Sequence, residues 1–284
     1  MPNIRLIRRR IRSVQNTAKI TNAMSMIAAS KMRRAQERDL NARPYAEKML
    51  EVLAHLASQY QGADITHPLL ERRELKRVEM LHITPDRGLC GGLNANVNRR
   101  TASFLAEEKV SASLVTVGKK GRDFMVRYGQ EVRAVFTDLG DKPSLADILP
   151  ISRVIIDDYT SGYADRVFLV YTQFVSTMSQ RPVLRQILPI EPVSNGGPKT
   201  EYIYEPNALD VLGELLPRFI EMQIYHAVLE SIASEQSARM VAMRNATDNA
   251  HDMIQDLTLL FNKARQEMIT KELLDITGGV TALE

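Results

Sequence analysis

The residues most able to do chemistry lie in one stretch, "TPDRGLCGGLN", residues 84–94. It joins the apolar run "VEMLHI" to "ANVNRRTASFL", which has helical spacing. A glycine-rich turn between strand and helix places backbone N–H groups at a helix N-terminus, an arrangement suited to phosphate. The spacing does not support that chemistry. A Walker loop requires G-x-x-x-x-G-K-[ST], and here Gly91-Gly92 are followed by Leu93 and Asn94. The dinucleotide pattern G-x-G-x-x-G is missing too. A tight turn with close helix packing is the simpler reading of Asp86, Arg87, Gly88, Cys90, Gly91 and Gly92. Cys90 has Arg87 three residues before it and could be reactive, but a lone cysteine in such a turn is more often a small packed residue.

No other constellation promises catalysis. His55, His67, His82, His226 and His251 are scattered, and no H-x-x-x-H or C-x-x-C metal spacing occurs. Asp157 and Asp158 are adjacent rather than spaced for shared acid–base work, and a helix surface explains them. The sequence therefore predicts no catalytic residue, no bound metal and no cofactor.

The composition is that of a soluble protein: 44% hydrophobic, 25% charged, net charge +3, over 284 residues. One cysteine rules out an internal disulfide and fits a reducing compartment. No apolar run approaches a membrane span, and "MPNIRLIRRRIRS" lacks the apolar core of a secretory signal. An intracellular protein is expected. Charge is uneven. Residues 1–36 hold nine Lys/Arg and no Asp or Glu, whereas residues 208–284 hold six basic and twelve acidic side chains. Such ends could be complementary halves of one object. A nucleic-acid interface is not expected, because the first 44 residues carry no interleaved aromatics and match no standard binding module.

Both ends read as long helices. Ile4, Ile7, Ile11, Val14 and Ala18 recur at three and four over a first segment of residues 1–60, broken only by Pro44. The stripe then thins and drifts into small residues, "NAMSMIAASKM", which argues against a tight leucine-zipper seam. The methionines of this region and of "ARMVAMR" read as packing. A helix of that length, roughly 85 Å, needs a partner along its length. The partner is the segment 207–284, in which Gly278-Gly279 predict a stop and Pro217 predicts either a start or a kink. Antiparallel pairing is expected, with the stripe of residues 4–14 beside roughly 245–265.

Between them the period changes. "VEMLHIT", "SLVTVG", "VRAVF" and "RVFLVYTQF" read as strands, and "NANVNRRTASFLAEE", "KGRDFMVRYG" and "SLADILPISRVIIDDYTSG" as helices, the last interrupted by Pro150. Alternation predicts an α/β domain over 76–190 with a doubly wound, mostly parallel sheet. "PVLRQILPI" could add an antiparallel edge strand. Residues 191–206, rich in proline and glycine, read as a linker.

Four stretches in order along the chain resemble one family, the γ subunit of the F-type ATP synthase, bacterial type. These are "SVQNTAKITNAMSMIAASKMRRAQ" (13–36), "DRGLCGGLN" (86–94), "SEQSARMVAMRNATDNA" (234–250) and "NKARQEMITKELLDITGG" (262–279). Asp275 stands where the closing signature usually has Glu, and Gly279 where Ala is usual. The resemblance implies a non-catalytic central rotor shaft. Its helix pair would enter a hexamer of alternating α and β subunits, and its α/β domain would sit on the ε subunit and the membrane c-ring. The whole would be peripheral on the cytoplasmic side of the cell membrane. It also implies that ion flow turns the shaft and drives the β subunits through their states, and that Arg265 and Gln266 bond a β-subunit loop. Lys19, Met24, Lys31, Arg33 and Glu272 would be further partner contacts. Within its own helix Arg265 has only Phe261, Asn262, Met268 and Ile269 three or four residues away, so it lacks a carboxylate there. Two other classes stay open on the residues alone: an α/β nucleotide-dependent enzyme with helical extensions, and a freestanding coiled-coil scaffold.

Overall fold

In a computed structural model, the described residues are 4–59, 67–108, 110–190, 204–205 and 207–281. The predicted linker lies almost wholly outside them. The chain divides into two compact units, Met1–Ala28 with Met240–Glu284, and Ala29–Arg239.

The second unit holds the sheet. Strands β1 (Arg77–Ile83), β2 (Ser111–Val117), β3 (Glu131–Phe136), β4 (Arg166–Ser176) and β5 (Ser179–Leu188) take the order β3-β2-β1-β4-β5. The first four are parallel and β5 is antiparallel to β4, the edge strand that its sequence suggested. Helices α2 (Leu93–Glu107), α3 (Lys119–Arg127) and α4 (Leu145–Thr160) make the crossovers. Strands covered on both faces must be apolar on both, which is why β1 is buried along nearly its whole length. One face packs Leu81, Ile83, Val115 and Val117 against Ile148, Ile151, Ile155 and Tyr159 of α4. The same core takes in Met49 and Leu53 of the first long helix α1 (Ile4–Gln59) and Phe219, Ile220 and Ile224 of the last, α5 (Ala208–Thr281). The other face packs Val78, Met80, Leu114 and Val170 against Val97 of α2 and Met125 of α3. The sheet is doubly wound, as expected.

The prolines and glycines break less than the sequence suggests. α4 continues through Pro150, which is exposed, so the lost hydrogen bond falls on the wet face. α5 continues through Pro217 as one helix. The carbonyl that this ring crowds belongs to Gly213, four residues earlier, where the backbone yields most readily. Gly278-Gly279 do not stop α5, which runs to Thr281. Glycine permits the left-handed termination but does not impose it.

Two polar residues are fully buried inside β1. His82 lies between Asn98 Oδ1 (2.8 Å from Nε2) and the Thr101 hydroxyl (2.9 Å from Nδ1), both on α2. Nε2–H donates to Asn98, so Nδ1 accepts from Thr101. Burial pushes this imidazole's pKa down from 6.5 to about 4. The folded chain therefore holds His82 neutral while the unfolded chain takes up a proton below about pH 6.5. Its contribution is complete above that pH and is lost as pH falls toward 4, a loss on the order of 3 kcal/mol. In urea melts the stability difference between wild type and His82→Gln should fall by about that amount between pH 7 and pH 4.5, because other titrating groups act equally in both chains; a difference that does not change with pH would refute the assignment. Glu79, the second buried group, belongs to the opposite face.

Candidate functional site: the carboxyl end of the sheet and the helix pair

Doubly wound sheets bind ligands outside the carboxyl ends of their strands, where the strand order reverses. Here that point lies between β1 and β4, and the glycine turn follows directly from β1. The turn is built from contacts within the chain. Asp86 accepts backbone N–H bonds from Lys119 (3.0 Å) and Asp138 (3.0 Å), tying the ends of β1, β2 and β3 together. The Gly88 carbonyl accepts from Arg239 of α5 at 3.1 Å, and Arg239 is ion-paired with Glu235 at 2.6 Å. Gly91 takes φ +59° and Leu89 φ +64°, so the chain reverses through two left-handed residues. Cys90 is buried, and burial together with Glu235 pushes its thiol pKa up, which makes it a packing group and not a nucleophile. Arg87, Gly91 and Gly92 are exposed.

α5 lies across the end of the sheet. Ser234 donates to the Thr172 carbonyl (3.0 Å), Ser237 to the Thr177 carbonyl (2.8 Å), and Gln180 Nε2 reaches Ser237 (3.3 Å). The cavity left beneath it, lined by Asp86, Gly118, Asp138, Ser231 and Glu235 among others, has a volume of about 50 Å³. Pockets for nucleotide-sized ligands run to roughly 300–1,000 Å³. The crevice is filled by the protein's own helix. Among the described residues no group of three or more His, Cys, Asp or Glu is placed to hold a metal ion.

The sequence reading missed the residues that seat this end: Arg239, Ser234 and Ser237 on α5, and Gly118 and Gly121 around α3. Gly118 follows β2 directly, a strand-end glycine that could have been flagged; the α5 residues carry no local signal.

The other unit is an antiparallel helix pair. Arg8 lies over the Phe261 ring (5.4 Å), Thr21 meets Thr247 (2.7 Å), and the Ser25 hydroxyl donates to the Met240 carbonyl (3.2 Å). As α1 advances α5 recedes, and the Arg8–Phe261 contact falls within the expected register. The expected drift of the stripe is absent. Positions 7, 11, 14, 18, 21, 25 and 28 are buried or half-buried and alternate strictly by four and three. The heptad seam continues where its large side chains give out, because Ala18, Thr21, Ser25 and Ala28 occupy it. Small seam residues bring helices close but bury little area. Met26 faces outward, 65% exposed, against the expectation that the methionines pack. Among the described side chains of α5 the last buried one is Ala264; from Arg265 to Thr277 every residue is exposed, including Met268, Ile269, Leu273, Leu274 and Ile276.

The residues expected to contact partners are dispersed. Arg265, Gln266 and Glu272 lie on the bare end of α5, and Arg265 and Gln266 make no hydrogen bond or ion pair among the described residues. Lys19 and Arg33 are exposed on α1 and Met24 is half-buried. Lys31 is paired within the chain, with Asp141 at 2.6 Å. None of the described helices is long and apolar enough to cross a membrane.

The profile of a family described as ATP synthase matches residues 3–283. An ATP synthase gamma chain of Dehalococcoides mccartyi is 64% identical over 284 residues, covering 100% of each chain. One of Herpetosiphon aurantiacus is 50% identical over 293 residues, covering 100% of this chain and 99% of that one. Among solved structures, a chain of the Tetrahymena thermophila mitochondrial ATP synthase central stalk and c-ring superimposes with TM-score 0.62 at 25% identity, over 80% of this chain and 99% of that one. A chain of the Euglena gracilis mitochondrial ATP synthase shares the fold, with TM-score 0.68 at 22% identity over 99% and 94% of the two chains. A profile match from end to end, relatives at half to two-thirds identity along the full length, and a helix pair joined to an α/β unit whose crevice its own helix fills all agree: the chain belongs to the ATP synthase gamma chain family.

Proposed function

We propose that this chain is the non-catalytic rotor shaft of an F-type ATP synthase, turned by ion flow through a membrane c-ring and driving the catalytic β subunits in sequence. The observation that carries the reading is the bare end of α5. Thirteen consecutive exposed positions, 265–277, include five large apolar side chains, a surface that isolated helices do not keep. The occupant of that surface in this reading is a ring of alternating α and β subunits, a reading supported by the family relationship and by the central-stalk context of the Tetrahymena neighbour. The weakly apolar seam suits the same role, because a rotating shaft passes several copies of one surface and should bind none of them tightly. The α/β unit would rest on the ε subunit and the c-ring, which makes the chain peripheral to the cell membrane on its cytoplasmic side. The domain division 1–60, 76–190, 191–206 and 207–284 belongs to the same proposal. Capture of α and β subunits by the tagged full chain tests it; a chain that purifies as a homo-oligomer without them would favour the scaffold reading.

Arg265 and Gln266 are the residues assigned to a β-subunit loop. A charge-assisted bond from Arg265 is worth about 1.5–3 kcal/mol. Arg265→Ala with Gln266→Ala should leave the melting temperature of the isolated chain unchanged, since both side chains are exposed. ATPase turnover or assembly of the reconstituted head should fall about tenfold or more. Wild-type assembly and turnover in the double variant would leave Arg265 as a solvated side chain. Lys19, Met24, Lys31, Arg33 and Glu272 are proposed as lesser contacts, Lys31 after release from Asp141.

A further inference from the structure

Within the unit that holds the sheet, α1 and α5 are joined by a polar cluster that neither the glycine turn nor the partner surface uses. Asp39 on α1, 7% exposed, is in contact through its carboxylate with His226 Nδ1 on α5. Glu230, one turn further along α5 and 9% exposed, faces the Tyr171 phenol on β4. Arg185 on β5 faces the same cluster. Two carboxylates, one guanidinium and one phenol are thus grouped with one imidazole. With His226 neutral the cluster carries a surplus negative charge in a largely buried site; with His226 protonated the charges balance. The side chain of His226 is 35% exposed, so a proton can reach it from solvent.

We propose that His226 is a pH-controlled link between the two long helices, closed by ion pairing to Asp39 when protonated and loosened when neutral. The proton could instead settle on Glu230, whose pKa burial raises, so the test separates the two groups. A histidine that gains carboxylate partners on folding holds its proton at higher pH than in the unfolded chain. The stabilisation it provides is then complete below about pH 6.5 and is lost as pH rises through the folded-state value.

The measurement is an NMR titration of the full-length chain between pH 5 and 9, with the His226 resonance assigned by its loss in His226→Gln. His226 should titrate at least about half a pH unit above 6.5. That rise should disappear in Asp39→Asn and survive in part in Glu230→Gln. Thermal melts should agree: the difference between wild type and His226→Gln should shrink from pH 6 to pH 8.5. His226 titrating at or below 6.5, or a rise unaffected by Asp39→Asn, would overturn the proposal. So would a pH-dependent difference that persists in His226→Gln and vanishes in Glu230→Gln, which would place the proton on Glu230.

Discussion

Gly118→Ala should leave almost no folded α/β unit at 37 °C. Gly118 takes φ +94° and ψ 145°, a region essentially confined to glycine. A β-carbon built there would lie 1.9 Å from the Thr84 carbonyl oxygen and 2.9 Å from the Thr84 hydroxyl oxygen. Neither neighbour can retreat. Thr84 N–H donates to the Val117 carbonyl at 2.8 Å, and Gly118 N–H donates to the Phe136 carbonyl at 2.8 Å, so the two backbones are fixed in adjoining strands. The Thr84 hydroxyl is itself held by Gly121 N–H (2.8 Å). Relief requires separating β1 from β2 at their carboxyl ends. The cost should exceed about 4 kcal/mol, at the severe end for single substitutions and comparable with the whole stability of many domains. Gly129→Ala is the matched control. It also has positive φ, +76°, but open space around it, so it should cost only about 1–2 kcal/mol. Urea melts of both variants decide the matter: similar losses would mean that conformation alone, without the clash, sets the cost.

Glu79→Gln should stabilise the chain, and increasingly so as pH rises. Glu79 is completely buried on β1, on the face that carries α4, and its pKa is pushed up from 4.5 to about 9. Burial is the main cause and the carboxylate of Asp158 the second. Asp158 is engaged elsewhere, bidentate with Arg133 at 2.8 and 2.9 Å. Glu79 leans on Asp158, but neither of its oxygens makes a hydrogen bond of normal geometry, and the Ser113 hydroxyl, paired with it across β1 and β2, has no partner either. Desolvation without compensation therefore dominates. The folded chain keeps Glu79 protonated, whereas the unfolded chain releases the proton above about pH 4.5. The unfolded state then binds fewer protons, so stability falls steadily from pH 4.5 to 9. Each pH unit across that interval costs roughly 1.4 kcal/mol, so several kcal/mol are at stake. Glutamine keeps the shape and cannot ionise. Its advantage over wild type in urea melts should be small at pH 5 and largest near pH 9. A constant difference across that range would show that Glu79 is ionised in the fold.

The elements themselves were written in local pattern. The runs that became β1, β2 and β4 are largely apolar on both faces because helices cover both, and that continuous hydrophobicity is visible without any structure, whereas β3, at the sheet edge, alternates between exposed and half-buried positions. The heptad positions of α1 were equally present in the sequence. They went unrecognised because alanine, serine and threonine hold a seam without announcing it as leucine would. Pro217 misled for a different reason: its local cost is real, but in α5 the surrounding core at Leu216, Phe219 and Ile220 outweighs it.

What the glycine turn is for could be decided only by tertiary structure. "DRGLCGGLN" excludes a Walker loop by its own spacing. Its actual partners, Arg239 on the Gly88 carbonyl and Asp86 on the N–H groups of Lys119 and Asp138, lie between 33 and 151 residues away. Glu79 and His82 likewise look alike in sequence, two polar residues in one buried strand. Which of them finds hydrogen-bond partners and which does not depends on the helices that pack on opposite faces of β1. A residue's backbone preferences and polarity act over a few neighbours and can be read from the chain. The free energy of a buried charge or of an added β-carbon is set by atoms that only folding brings near.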